Sequence, residues 1–165
     1  MSTIDALLRN NAAYAAGFPH GELPTTPALR LAVLTCMDAR IDPCQILGLG
    51  VGDAHVIRNA GGVANDDAIR SLTASQRLLG TREVAVILHT GCAMRTFSEA
   101  DFLDELERET GVHPGWDTTE FHDDIDADVR RAVTRIVESP FVLHRDGVRG
   151  FVYEVETGRV REVTG

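Results

Sequence analysis

The sequence predicts an α/β fold: a mainly parallel central sheet flanked by helices, with a helical arm ahead of it and a strand pair at its end. Three observations carry this. Residues 31–35 (Leu-Ala-Val-Leu-Thr) and 83–89 (Glu-Val-Ala-Val-Ile-Leu-His) are short, almost continuous apolar runs, as expected of strands buried on both faces of a parallel sheet. A segment of helical period lies between them, which makes a strand, helix, strand crossover. The 165 residues also suffice to bury about two-thirds of the unfolded surface without disulfides, so one domain over residues 1–165 is expected, with residues 1–27 as its arm.

In chain order, residues 3–16 read as a helix with Thr3 as N-cap and Ile4, Leu7, Leu8 and Tyr14 along one side. Three prolines then make residues 17–27 an irregular connection. Residues 55–58 form a weaker strand. Ile69, Leu72 and Leu79 give residues 66–79 helical spacing, with Asp66 as cap and Asp67 at the positive end of the dipole. Ser98-Glu-Ala-Asp101 resembles a capping box opening a helix over residues 98–110, and Ile125, Val129, Val133, Ile136 and Val137 stripe another over 123–137. Residues 150–155 and 160–163 flank Glu156-Thr-Gly-Arg159, a turn between two strands.

Composition narrows the function. A net charge of -9 repels phosphate backbones and anionic lipid, so neither nucleic acid nor membrane is an expected partner. All sixteen basic residues are arginine, and without lysine there is no Schiff base and no phosphate-binding P-loop. The surplus is local: residues 98–131 hold twelve acidic and three basic side chains, which reads as a solvated flank. Three cysteines make no disulfide framework and fit reduced thiols in the cytoplasm. Residues 1–18 carry Asp5 and no long apolar run, unlike a signal peptide or a membrane span.

Two cysteines stand just beyond apolar strands, Cys36 after the first and Cys92 three residues past His89. Ligands of open parallel sheets bind outside the carboxyl ends of the strands. Cys36, His89 and Cys92 are therefore a candidate metal set whose two thiolates and one imidazole suit Zn²⁺ and leave a fourth position open, as catalytic sites do. The plain alternative is two buried cysteines and a core histidine. Beside the first ligand, Asp38 and Arg40 form a carboxylate held by a guanidinium fork. Such an aspartate either aims a nucleophile at the metal or closes the fourth position itself. Cys44, after Asp42-Pro43, is expected as a small buried apolar residue on a short helix.

Cys36-x-Asp38-x-Arg40 and His89-x-x-Cys92, in this order, resemble the two motifs of the β-class carbonic anhydrases, and Arg58-Asn-Ala-Gly61 is similar to the segment between them. The resemblance spans nearly the whole chain and is nearest to the compact archaeal and actinobacterial members. It implies reversible hydration of CO₂ by a zinc-bound hydroxide that Asp38 orients and Arg40 steadies. It also implies a homodimer or larger homo-oligomer in which the N-terminal helix wraps the partner. Some similar members act on carbonyl sulfide or carbon disulfide with the same site. The backbone of Ala60, Gly61 and Gly62 is either a wall of the substrate pocket or simply a tight turn. Gly91, Ala93 and Gly62 depart from the common pattern, and Val33 replaces the Trp of members with a second anion site.

Three other readings are weaker. A non-catalytic zinc module needs a fourth permanent ligand, and Arg40 commits Asp38 elsewhere. Gly48-Leu-Gly-Val-Gly52 misplaces the third glycine of a dinucleotide fingerprint and precedes its strand. No Cys-x-x-Cys supports thiol redox chemistry. The five histidines other than His89 are expected at the surface, with no proton relay assigned.

Overall fold

The computed structural model describes residues 2–116 and 121–164. Among the described residues five strands form one sheet: β1 (Leu31–Cys36), β2 (Ala54–Asn59), β3 (Glu83–His89), β4 (Val148–Glu154) and β5 (Arg159–Val163), in the order β2-β1-β3-β4-β5. The first four run parallel and only β5 is antiparallel, joined to β4 by the tight turn that the sequence signals. The helices are α1 (Thr3–Ala16), α2 (Pro43–Leu47), α3 (Asp66–Arg77), α4 (Glu99–Thr110) and α5 (Ile125–Glu138). β2 and β3 are separated by β1, so the α3 connection passes over β1.

The apolar runs are buried as their composition demands. On one face Ala32, Leu34, Val84 and Val86 pack with Ala68, Leu72 and Ile136 from α3 and α5. On the other, Val33, Ile87 and Tyr153 meet Ile41 and the half-buried Ile46, Leu47 and Leu49, and Cys36 and Cys92 belong to this second cluster. α1 buries no residue, and Ile4, Leu7 and Leu8 are all exposed. Among the described residues no helix is long and apolar enough to cross a membrane.

Several helix ends differ from the sequence reading. Ser2, not Thr3, caps α1: its hydroxyl accepts from the Asp5 N–H, and the Asp5 carboxylate accepts from the Ser2 N–H at 2.8 Å, a reciprocal box. Asn65, not Asp66, caps α3 by accepting from Ala68 N–H at 3.0 Å, leaving Asp66 and Asp67 both in the first turn. α3 ends at Arg77, before the exposed Leu78. Asp124 caps α5, which therefore starts at Ile125. Cys44 does lie on the short helix α2, but it is exposed, because that helix turns Ile46 and Leu47 inward instead. His55 is half-buried, its Nδ1 2.8 Å from the Ser75 hydroxyl.

The acidic flank is only partly solvated. Asp128 is 5% exposed and accepts from Arg95, Arg131 and the His122 N–H. A buried carboxylate survives only when such donors replace its water. Asp126 likewise pairs with Arg161. Asp117 and Glu120 of the same flank lie outside the described residues.

β4 meets α5 at Gly150, where an added Cβ would collide with Val129 Cγ1 and lie 3.0 Å from Val133 Cγ2. Gly150→Ala should therefore lose about 1–3 kcal/mol by overpacking, read from urea unfolding midpoints, and adding Val129→Ala should return part of it. Unchanged stability of the single variant would contradict this packing.

Candidate metal centre

β1 and β3 are adjacent and parallel, in register from Leu31↔Glu83 to Thr35↔Ile87, so both end on the same side of the sheet. Cys36 is the last residue of β1, His89 is the last of β3, and Cys92 opens the turn that follows. One ligand atom from each lies within 4.8 Å of the others, and all three side chains are buried. The Cys36 and Cys92 sulfurs are 3.9 Å apart.

The His89 ring is 1% exposed. Its Nδ1 lies 2.9 Å from the Thr90 carbonyl, an acceptor only, so Nδ1 carries the proton and donates it. Nε2 is left with a free lone pair, buried and with no hydrogen-bond partner. A buried polar atom without a partner calls for an explanation, and this one points into a cluster with two sulfurs. Soft thiolates with one imidazole form a donor set that could hold a metal ion.

The backbone prepares the sulfurs for negative charge. Peptide N–H groups of Asp38 and Gly61 are directed at Cys36, and that of Met94 at Cys92. The hydrogen bond from Cys92 draws the Cys36 thiol down to about 4 against the opposing effect of burial. That same bond, with burial, pushes Cys92 upward, so the pair shares one proton. Burial presses His89 toward its neutral form, but the facing Cys36 sulfur, the Thr90 carbonyl and the Asp38 charge leave its pKa raised.

Asp38 and Arg40 make the fork that the spacing suggests. Asp38 Oδ1 accepts from the Arg40 N–H and Nε, each at 2.9 Å, and Oδ2 accepts from Nη2 at 2.7 Å. These bonds hold the Asp38 carboxyl well below the usual carboxylate range. Nη2 also donates to the Gly91 carbonyl at 2.7 Å, which joins the first motif to the second. Asp38 Oδ2 stands 3.8 Å from His89 Nε2, beside the cluster and not within its triangle of ligand atoms.

Ala60, Gly61 and Gly62 form a 3₁₀ turn after β2. Gly62 has φ +69°, and a Cβ there would lie 2.9 Å from Cys36 N, so the turn is pressed against the ligand strand where only glycine fits. Gly61 sends its N–H to the Cys36 sulfur and lies under the Phe121 ring. A cavity of about 640 Å³ opens behind the turn, lined by Gly62, Leu88, Phe121 and one side of α5. Cys36, Asp38, His89 and Cys92 do not line it. Of the three turn residues Gly62 alone reaches that cavity, so its glycine serves the close approach first.

Four polar residues frame this site without a role assigned from the sequence, although Arg58 and Asn59 stand in the segment that carries the resemblance. Arg58 donates to the carbonyls of Cys36 (3.0 Å) and Asp38 (2.8 Å), fixing the loop between them. Asn59 bonds Val63 in both directions at 2.8 Å and pins the glycine turn. Thr90 and Glu156 are bonded to one another at 2.8 Å. The available signal was position: Arg58 and Asn59 end a strand parallel to β1, and Thr90 follows a ligand directly.

Comparison with known proteins agrees with this geometry. Residues 31–160 match the family model described as carbonic anhydrase. The chain is 48% identical to a protein named β-carbonic anhydrase 1 from Mycobacterium tuberculosis over 164 residues, 99% of each chain. It is 34% identical to a carbon disulfide hydrolase from Acidianus over 156 residues, 81% of this chain and 76% of that one. The crystal structure of a carbonic anhydrase from Streptococcus mutans superposes with a TM-score of 0.90 at 41% identity, covering 99% of both chains. A strand-end Cys, His and Cys on this sheet, with the matched length on either side, place the chain in the β-carbonic anhydrase family.

Proposed function

We propose that this protein catalyses the reversible hydration of CO₂ to bicarbonate and a proton, with Zn²⁺ held by Cys36, His89 and Cys92 and with Asp38 and Arg40 orienting the nucleophile. One observation carries the reading: a three-donor cluster with an unpartnered His89 Nε2 and an arginine-held carboxylate oxygen 3.8 Å from it. Bound there, Zn²⁺ would supply Lewis acidity that makes a water in the open position nucleophilic near neutral pH, less strongly than an all-imidazole set because two thiolates donate charge.

The chain's own residues do the rest. Asp38, ionised through its bonds to Arg40, accepts a hydrogen bond from the attacking water and so turns a lone pair toward the substrate carbon. Arg40 fixes the plane of that carboxylate with three bonds from one residue and anchors it to Gly91. Thr90, through its carbonyl, keeps the His89 proton on Nδ1 and the metal-facing nitrogen free.

Carbonyl sulfide or carbon disulfide hydrolysis is the second reading, favoured by the relationship to carbon disulfide hydrolases. The longer and closer match to a β-carbonic anhydrase favours CO₂. Stopped-flow CO₂ hydration against sulfide release from the two sulfur substrates, on one preparation, separates them. Sulfide release without CO₂ hydration would reverse the order.

The same reading makes the protein a homodimer or larger homo-oligomer with residues 1–27 as the docking arm, supported by an α1 that buries nothing of its own. Sedimentation equilibrium should give at least a dimer, and a monomer at micromolar concentration would refute it.

Two further outcomes are expected. Arg40→Ala should lower kcat/KM about a hundredfold by loosening Asp38 while keeping one zinc per chain by elemental analysis; Cys36→Ser should lose the zinc and Cys44→Ser should keep it. If Arg40→Ala lost the metal, the orienting role would fail. Activity should rise with pH above neutrality because the two thiolates make the activated water less acidic than in an all-imidazole site; a flat profile from mildly acid to alkaline pH would refute this.

A further inference from the structure

One exposed carboxylate outside both motifs is bonded to a residue of the second of them. Glu156 stands in the turn between β4 and β5. Its Oε2 accepts from the Thr90 hydroxyl at 2.8 Å, and the same hydroxyl accepts from the Val155 N–H at 3.1 Å. The Thr90 N–H in turn donates to the Tyr153 carbonyl at 3.0 Å. Thr90 is thus fastened by its side chain and its amide to the end of β4, and its remaining backbone group is the carbonyl that takes the His89 Nδ1 proton.

The other oxygen of Glu156 lies near Gly91, inside the second motif. A Cβ built on Gly91 would stand 3.7 Å from Arg40 Nη1 and 3.9 Å from Glu156 Oε1, so the two charged groups flank one glycine. Arg40 has spent Nε and Nη2 on Asp38 and Gly91, and its Nη1 is the donor left beside that glycine. Thr90's hydroxyl and Arg40's charge both keep Glu156 ionised, drawing its carboxyl below the ordinary range.

We infer that Glu156 is a positioning residue of the metal centre: through the Thr90 hydroxyl it fixes the carbonyl that orients His89, and its second oxygen lies beside the same glycine as the arginine that holds Asp38. Its effect on catalysis rests on the function proposed above; its effect on metal binding does not. The bond to Thr90 is the stronger link, because a charge pair at an exposed edge is screened by water.

The test uses full-length Co²⁺-substituted protein, with affinity measured by competition against a chromogenic chelator, the visible spectrum of the bound Co²⁺, and kcat and KM for CO₂. Glu156→Ala should weaken Co²⁺ binding and lower kcat, each about tenfold, with a changed spectrum and an unchanged KM. Glu156→Gln, whose amide oxygen still accepts from Thr90, should restore the affinity, the spectrum and most of kcat. The inference is overturned if Glu156→Ala matches the parent in affinity and spectrum, or if Glu156→Gln is as impaired as Glu156→Ala. A parent protein that binds Co²⁺ but does not hydrate CO₂ would remove the proposed function and leave the affinity and spectral comparison to decide on Glu156.

Discussion

The parallel pairing of β1 with β3 is the constraint on which the site depends. Two ligands 53 positions apart in the sequence converge because neighbouring parallel strands must end on the same side of the sheet, and a slip by one residue would turn His89 to the opposite face. Everything buried on those strands serves that register. Ala32, Leu34, Val84 and Val86 hold one face against α3 and α5, and Val33 and Ile87 hold the other. The sheet is rigid where the ligands leave it, so the geometry of the cluster is set by backbone pairing more than by the flexible turns around it.

Around the cluster, charge is handled by fixed dipoles and fixed partners. Peptide N–H groups face both sulfurs, a carbonyl takes the imidazole proton, and a guanidinium takes the carboxylate. Several of them are anchored by further bonds: Arg40 to Gly91, the Cys36–Asp38 loop through Arg58 to two of its carbonyls, and Thr90 to Glu156. Such a shell costs little to reorganise when charge develops, because its dipoles already point inward.

Much of this was readable in the residues. Strand cores announce themselves when both faces are apolar, as in residues 31–35 and 83–89, and the ligand set follows from chemistry placed at strand ends. Ser98 caps α4 as its pattern indicates, but the caps of α1 and α3 lie one residue earlier than expected, because Ser2 and Asn65 each precede an equally plausible cap and only the bond to the third amide decides between them. Cys44 was misjudged since a five-residue helix shows no period from which an inward face can be taken. Thr90 and Glu156 were invisible for a different reason: they are 66 residues apart and meet only because β4 pairs beside β3, a neighbour relation that no local pattern states.

The buried carboxylate of Asp128 has a consequence for how the molecule opens. It is satisfied by Arg95, three residues past the last ligand, by the amide of His122 just ahead of α5 and by Arg131 in the second turn of that helix. Arg95 also donates to the His122 carbonyl and lies over the Phe121 ring, which covers Gly61. Releasing Arg95 would take from the buried carboxylate one of its two arginine cations, so the turn after Cys92, α5 and the glycine turn behind Cys36 are linked through one set of contacts. Fraying at the metal-bearing end of the sheet is therefore expected to be cooperative, with the amide protection of the ligand turns following that of α5.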